Sequence, residues 1–194
     1  MNTEKEIQAL LSLLWMLASD PRMLALFALL VVASISDCRS YRIPNWLTFG
    51  GALFALLSGM VMARTPGAGA VQALSGLALG FVLLLPGYAL GVMGAGDVKL
   101  MAMVGAFLGA GATFQALLLS FIAGGVLALA FAIYHRKLLR MLGNLKNAAQ
   151  GMVMAGVATT PATDRRQSVG KLPFALCIGA GTLFQVTAAQ LGYL

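Results

Sequence analysis

Apolar residues fill most of the chain in runs approaching twenty, broken by short polar or glycine-rich segments. Runs of that length match the roughly 20 residues a helix needs to cross a hydrocarbon core about 30 Å thick. The first span reads from Pro21 to about Asp37, opened by Asp20 as a cap and proline in the first turn. The second runs from about Trp46 to Met62 and closes at Arg64-Thr65-Pro66-Gly67. The third covers about Val71 to Met93, with a kink expected near Pro86. A fourth, unusually short, begins around Val98 and stops at Gly109-Ala110-Gly111. The fifth runs from about Gln115 to Tyr134 and the sixth from about Leu172 to Tyr193. Ahead of them, Ile7 to Ala18 is apolar but too short to span. There Glu4, Gln8, Ser12, Trp15 and Ser19 recur at helical spacing, the pattern of an interfacial amphipathic helix over residues 1–20. The pattern therefore predicts an all-α, polytopic membrane helical bundle, about six transmembrane helices plus that interfacial helix, as a single integral membrane domain over 1–194.

Composition agrees. The chain is 60% hydrophobic and 10% charged, against about 45–50% and about 25% for a soluble domain. Too little polar sequence remains to coat a soluble core. A net charge of +7 would fit a nucleic-acid partner, but the basic residues concentrate between spans, so membrane orientation explains them and no nucleic acid is expected. Ten of them lie in the loops 38–45 and 135–171 and at Lys99, against Lys5, Arg22 and Arg64 on the other side. That asymmetry predicts a cytoplasmic membrane with the ten inside and both chain ends outward. Within the basic loop 135–171, Leu138, Leu142 and Leu145 share one helical face, suited to lying on anionic membrane lipids. Residues 151–161 are mildly apolar and too short to span.

The chemistry is narrowed by what is scarce. Cys38 and Cys177 form no CxxC pair, and His135 is the only histidine, so neither a cysteine-rich zinc module, a disulfide framework nor an HExxH site is present. No GxSxG nucleophile motif accompanies His135. No metal and no cofactor are expected. Glycines four apart at Gly76/Gly80, Gly87/Gly91 and Gly105/Gly109 fit close helix packing.

Six acidic residues remain. Glu4, Glu6, Asp20 and Asp164 fall where solvent or the membrane surface can take them. Asp37 ends an apolar stretch, and Asp97 follows Gly94-Ala95-Gly96. An aspartate at the bilayer centre costs about 2.5–3.5 kcal/mol, so ionisable groups at membrane depth are functional candidates. Both fall at the cytoplasmic end of the expected bundle, on different helices. Two carboxylates close together do not both ionise comfortably; one holds a proton while the other takes one from water, enough to hydrolyse an amide without a metal or a covalent intermediate. By helix dipoles, Asp97 at a helix N-terminus is the expected ionised base and Asp37 at a C-terminus the proton holder. Gly91, Gly94 and Gly96 leave room for a substrate strand; equally, the segment reads as a tight turn ending in a helix cap. Lys99 is read either as steadying substrate backbone or a carboxylate, or as reaching the headgroups. Pro44-Asn45 reads as shaping the entry to the second span.

Two motifs carry a resemblance. Asp37-Cys38-Arg39-Ser40-Tyr41-Arg42-Ile43-Pro44-Asn45 resembles the D-x5-IPN segment of type IV prepilin peptidases, and Gly94-Ala95-Gly96-Asp97-Val98-Lys99 resembles their GxGDxK motif. Lys171-Leu172-Pro173-Phe174 resembles the basic-x-Pro-aromatic stretch opening their last helix, although Ala175 and Leu176 stand where many relatives carry glycine and proline. The resemblance implies a GxGD membrane aspartic endopeptidase that removes the basic leader of prepilins and pseudopilins at the cytoplasmic face, typically after a glycine. Asp37 and Asp97 occupy the positions of the catalytic pair. Larger members carry an N-terminal region with paired cysteines and methylate the new N-terminus; with about twenty residues before the first span and no CxxC, this chain is more similar to the compact peptidases of Flp/Tad pilus systems. Two other classes compete. A proton-coupled transporter predicts carboxylates near the midplane and an internal repeat, and a noncatalytic pilus-assembly protein predicts tolerance of Asp→Asn changes.

Overall fold

A computed structural model describes residues 20–91, 93–134, 173–190 and 192. The interfacial helix expected over residues 1–20, Asp20 apart, and the basic loop 135–171 lie outside the described residues. The chain divides into two compact units, residues 1–123 with 173–194, and residues 124–172. Of the second, the described part is the run 124–134, all helical.

The described residues build helices and turns: α1 (Pro21–Ser40), α2 (Asn45–Met62), α3 (Pro66–Ala89), α4 (Ala95–Leu108), α5 (Ala110–Tyr134) and α6 (Phe174–Gln190). Four stretches, α1, α2, α3 and Ala110–Phe131 of α5, are long and apolar enough to cross a membrane, and α6 is a shorter apolar helix. The protein is a helical membrane bundle.

Several helix ends differ from the sequence reading. α1 continues three residues past Asp37, so that carboxylate belongs to the last turns of the helix rather than its end. α3 begins at Pro66, five residues before the expected Val71. Pro66 and Gly67 read in the sequence as the close of the second span, but proline suits the first helical position, and Gly69 packs directly on the backbone of Gly59 in α2. α3 ends at Ala89, a turn before Met93, with Pro86 inside its last turn. The break between α4 and α5 is the single residue Gly109, whose φ of 80° and ψ of 170° suit glycine alone.

α4 explains its own shortness. From Val98 to Phe107 every residue except Lys99 is buried, and a helix that is apolar all round belongs in a core. It packs against α1, α2, α3 and α6. Its approach to α3 is so close that a Cβ on Gly76 would sit on the Gly105 carbonyl, and one on Gly105 on the Gly76 carbonyl. At the C-terminal end of α4, Arg22 Nη2 donates to the Ala106 carbonyl (3.1 Å) and its guanidinium lies 6.0 Å from the centre of the Phe107 ring. That carbonyl has no partner within its own helix, so Arg22 supplies one. α1 buries Leu26, Leu30, Ala33 and Asp37, a stripe at helical spacing in which the carboxylate takes the place of the next apolar residue.

Glycines away from these crossings behave differently. Gly50 lies exposed on α2 with open space where a Cβ would go. Gly50→Ala is therefore expected to raise stability by about 0.5–1 kcal/mol, because alanine loses less backbone entropy in a helix. The midpoint of unfolding in detergent measures it; a fall would show that lipid-facing packing at Gly50 needs the bare backbone.

Candidate functional site

All three motif segments singled out in the sequence come to one end of the first unit. Asp37 arrives there on the buried stripe of α1 and is 7% exposed. Its Oδ2 accepts the N–H of Ala175 (3.1 Å), in the first turn of α6. That donor is one of the N–H groups a helix start leaves unpaired, so the carboxylate serves as a cap supplied by another helix. Ser34 Oγ, a turn earlier on α1, donates to the Ala175 carbonyl at 3.5 Å. Pro173 immediately precedes α6, and the Phe174 ring lies 6.0 Å from that of Phe121 on α5. Ala175 contributes its backbone and has its side chain wholly buried.

After Asp37, α1 ends on Tyr41, which adopts the left-handed conformation (φ 50°, ψ 35°) while its N–H closes onto the Asp37 carbonyl at 2.9 Å. A non-glycine residue there carries strain of about 1–2 kcal/mol. Ser36 Oγ donates to the Arg42 carbonyl (2.8 Å) and holds the turn. The turn delivers Ile43, Pro44 and Asn45 to the start of α2.

Asp97 lies half-buried in the first turn of α4. Its Oδ2 accepts the Gly94 N–H (3.1 Å) and its own N–H donates to the Gly94 carbonyl (3.1 Å), a reciprocal cap with backbone in place of a serine side chain. Burial, the largest influence, pushes the Asp97 carboxyl up to about 6; the Gly94 N–H opposes the rise and the charge of Asp37 adds to it. The charge of Asp37 thus reaches Asp97. Cys177, buried on α6 one turn into the helix, feels the charge of both.

The dipole contrast read from the sequence does not carry over. Asp97 faces the N-terminus of its own helix, as expected, but Asp37, near the C-terminal end of α1, also faces the N-terminus of α6. Each carboxylate sits at a positive helix end.

The supporting residues fall differently from the sequence reading. Lys99 Nζ donates to Asn45 Oδ1 (3.0 Å) and lies 5.4 Å from the centre of the Phe49 ring, so it is directed at α2. Asn45 does not cap α2 with its side chain; it receives Lys99. Pro44 sits at the N-cap of α2 in extended conformation, as its entry role predicts. Gly96 packs against Ile43, whose Cβ would be 3.3 Å from a Cβ placed on the glycine. Gly94 offers its N–H to Asp97 and leaves the carboxylate little space beyond it, a Cβ there meeting Oδ2 at 3.3 Å. Gly91 takes a φ of 70° in the turn that ends α3. Sequence reasoning missed Ala175 and Cys177. The Pro173-Phe174 resemblance pointed at the right segment, but a backbone N–H has no signature in residue identity.

Two carboxylates at one end of the bundle, one of them under the charge of the other, have the chemistry to move a proton between water and an amide. Comparison with curated proteins finds no match, and comparison with solved structures finds none. The family model for the type IV leader peptidase family matches residues 24–129, more than half of the chain and including both aspartate motifs. The chain belongs to the type IV leader peptidase family, and is a membrane peptidase.

Proposed function

We propose that this protein is an aspartic endopeptidase that removes the leader peptide of Flp-type prepilins and pseudopilins at the cytoplasmic membrane face, with Asp37 and Asp97 activating the attacking water. The observation that carries the reading is that Asp37, buried on α1, and Asp97, half-buried at the start of α4, belong to segments that meet, Ile43 packing on Gly96 and Asn45 accepting from Lys99. The ten-against-three basic asymmetry supports a cytoplasmic site. In the step, one carboxylate takes a proton from water as the oxygen attacks the scissile carbonyl, and the other, protonated, donates to the developing oxyanion. Collapse of the tetrahedral intermediate returns a proton to the departing amine. Prepilins and membrane lipids are the partners this reading calls for.

A peptide spanning a Flp-type leader and the first mature residues, offered to the protein in liposomes, tests this. Cleavage is expected to fall as pH rises through a limb centred near 6. The sign follows from Asp97: its raised carboxyl keeps its proton below about 6, where it can donate to the developing oxyanion, and loses that proton above it. In Asp37→Asn, the neighbouring charge is gone, so the Asp97 carboxyl band in infrared titration should shift to lower pH. An unmoved band would mean that the two groups do not interact. No cleavage together with a proton flux across the liposome would favour the transporter reading.

A further inference from the structure

The two aspartate motifs lie far apart in the chain, yet they touch at two points. Ile43 packs against Gly96, and Asn45 accepts a hydrogen bond from Lys99 while Phe49 lies beneath the same ammonium. Ile43 follows Asp37 through one short turn, and Gly96 immediately precedes Asp97. Lys99 sits one half-turn beyond Asp97 on α4, a helix buried along its length. We infer that these contacts form a clasp that fixes the separation of the two aspartates before substrate arrives, with Lys99 and Asn45 as positioning residues rather than substrate ligands.

Three features of the chemistry support the clasp. Gly96 has no side chain to hold the two segments apart, and any larger residue meets Ile43 at once. Lys99 joins an amide oxygen and an aromatic face on the same helix, so its flexible stem is held at two points; a charged donor strengthens the hydrogen bond and the ring adds a cation–π contact. Each carboxylate is also held separately, Asp37 by the Ala175 N–H and Asp97 by the Gly94 N–H. With both carboxylates fixed and the elements carrying them joined, the chemical groups are oriented at no further entropic cost on binding.

This inference rests on the peptidase reading for its kinetic consequences, but the contact itself is testable without any substrate. With Cys38→Ser and Cys177→Ala as background, the pair Ile43→Cys and Gly96→Cys is treated with diamide, and loss of maleimide labelling reports the disulfide. The clasp predicts rapid closure, since the Cβ positions lie about as close as a disulfide requires, and slower closure when Lys99→Met is added. Failure to close, or closure indifferent to Lys99→Met, overturns the clasp whether or not the protein cleaves prepilins. In the cleavage assay, Lys99→Met and Asn45→Ala should each lower kcat about 10²-fold, the scale of a small misplacement of reacting groups, with KM unchanged. The double variant should be no worse than either single one. Oxidation of the cysteine pair should leave the rate within twofold of its own reduced form. A raised KM in Lys99→Met, additive losses, or cleavage that stops on oxidation and returns on reduction would each overturn preassembly. A wild-type protein that cleaves no prepilin, with the disulfide still closing in a Lys99-dependent way, would sink the peptidase reading while retaining the contact.

Discussion

Asp37→Asn and Asp97→Asn are each expected to lower kcat for leader removal about 10²–10⁴-fold, the usual contribution of a positioned acid or base, while the bundle stays folded. The folding expectation follows from the hydrogen bonds. Asparagine at 37 still offers an oxygen to the Ala175 N–H, and asparagine at 97 still accepts from Gly94. What each loses is the proton chemistry. Because the two act as one unit, the double variant should fall little further than either single one. Single-turnover cleavage in liposomes measures this, with unfolding in detergent run in parallel. A loss confined to KM would mean that the aspartates bind substrate without taking part in the chemistry. Equal rates for wild type and either variant would remove that residue from the mechanism and favour the noncatalytic reading.

The second large effect concerns folding. Gly76→Val and Gly105→Val are each expected to destabilise the bundle by about 3 kcal/mol or more, at the upper end of overpacking costs. At both positions the obstacle is backbone of the facing helix, so no side-chain rotation relieves it. With total stabilities of about 5–15 kcal/mol, either change is a large fraction of what holds α3 to α4. Since α4 carries Asp97, cleavage should fall with the folded fraction. Unfolding midpoints in detergent measure it, with Gly50→Ala as the opposite-signed control. A Gly105→Val protein as stable as wild type would mean that α3 and α4 pack differently from the arrangement described.

Much of this was legible in the sequence, and the parts that were not share one cause. Span existence followed from the length of apolar runs, a local property. Span ends followed less well: Cys38 to Asn45 reads as a loop because it is polar and basic, although α1 continues through Cys38 and Arg39 to Ser40. Pro66 and Gly67 read as the close of the second span, and the third as starting near Val71, because the partner of Gly69 lies in another helix. The aspartates stood out by the cost of burying a carboxylate, a property of the residue alone. Their surroundings did not. The dipole argument placed Asp37 at the negative end of α1 and could not see the start of α6, which arrives from 138 positions away. Lys99 reads as reaching substrate backbone, a carboxylate or the headgroups, whereas its partner Asn45 lies 54 positions earlier in the chain. Pattern reveals which residue is unusual; which residue answers it is decided by packing.

The most direct measurement is the intact mass of a Flp-type prepilin recovered from membranes that contain the wild-type protein, Asp37→Asn or Asp97→Asn at matched levels. The account predicts that wild type shortens the prepilin by its basic leader, with a new N-terminus just after a glycine, and that both variants leave the full-length mass. Full-length prepilin with the wild type, or a shortened one with either variant, would contradict it.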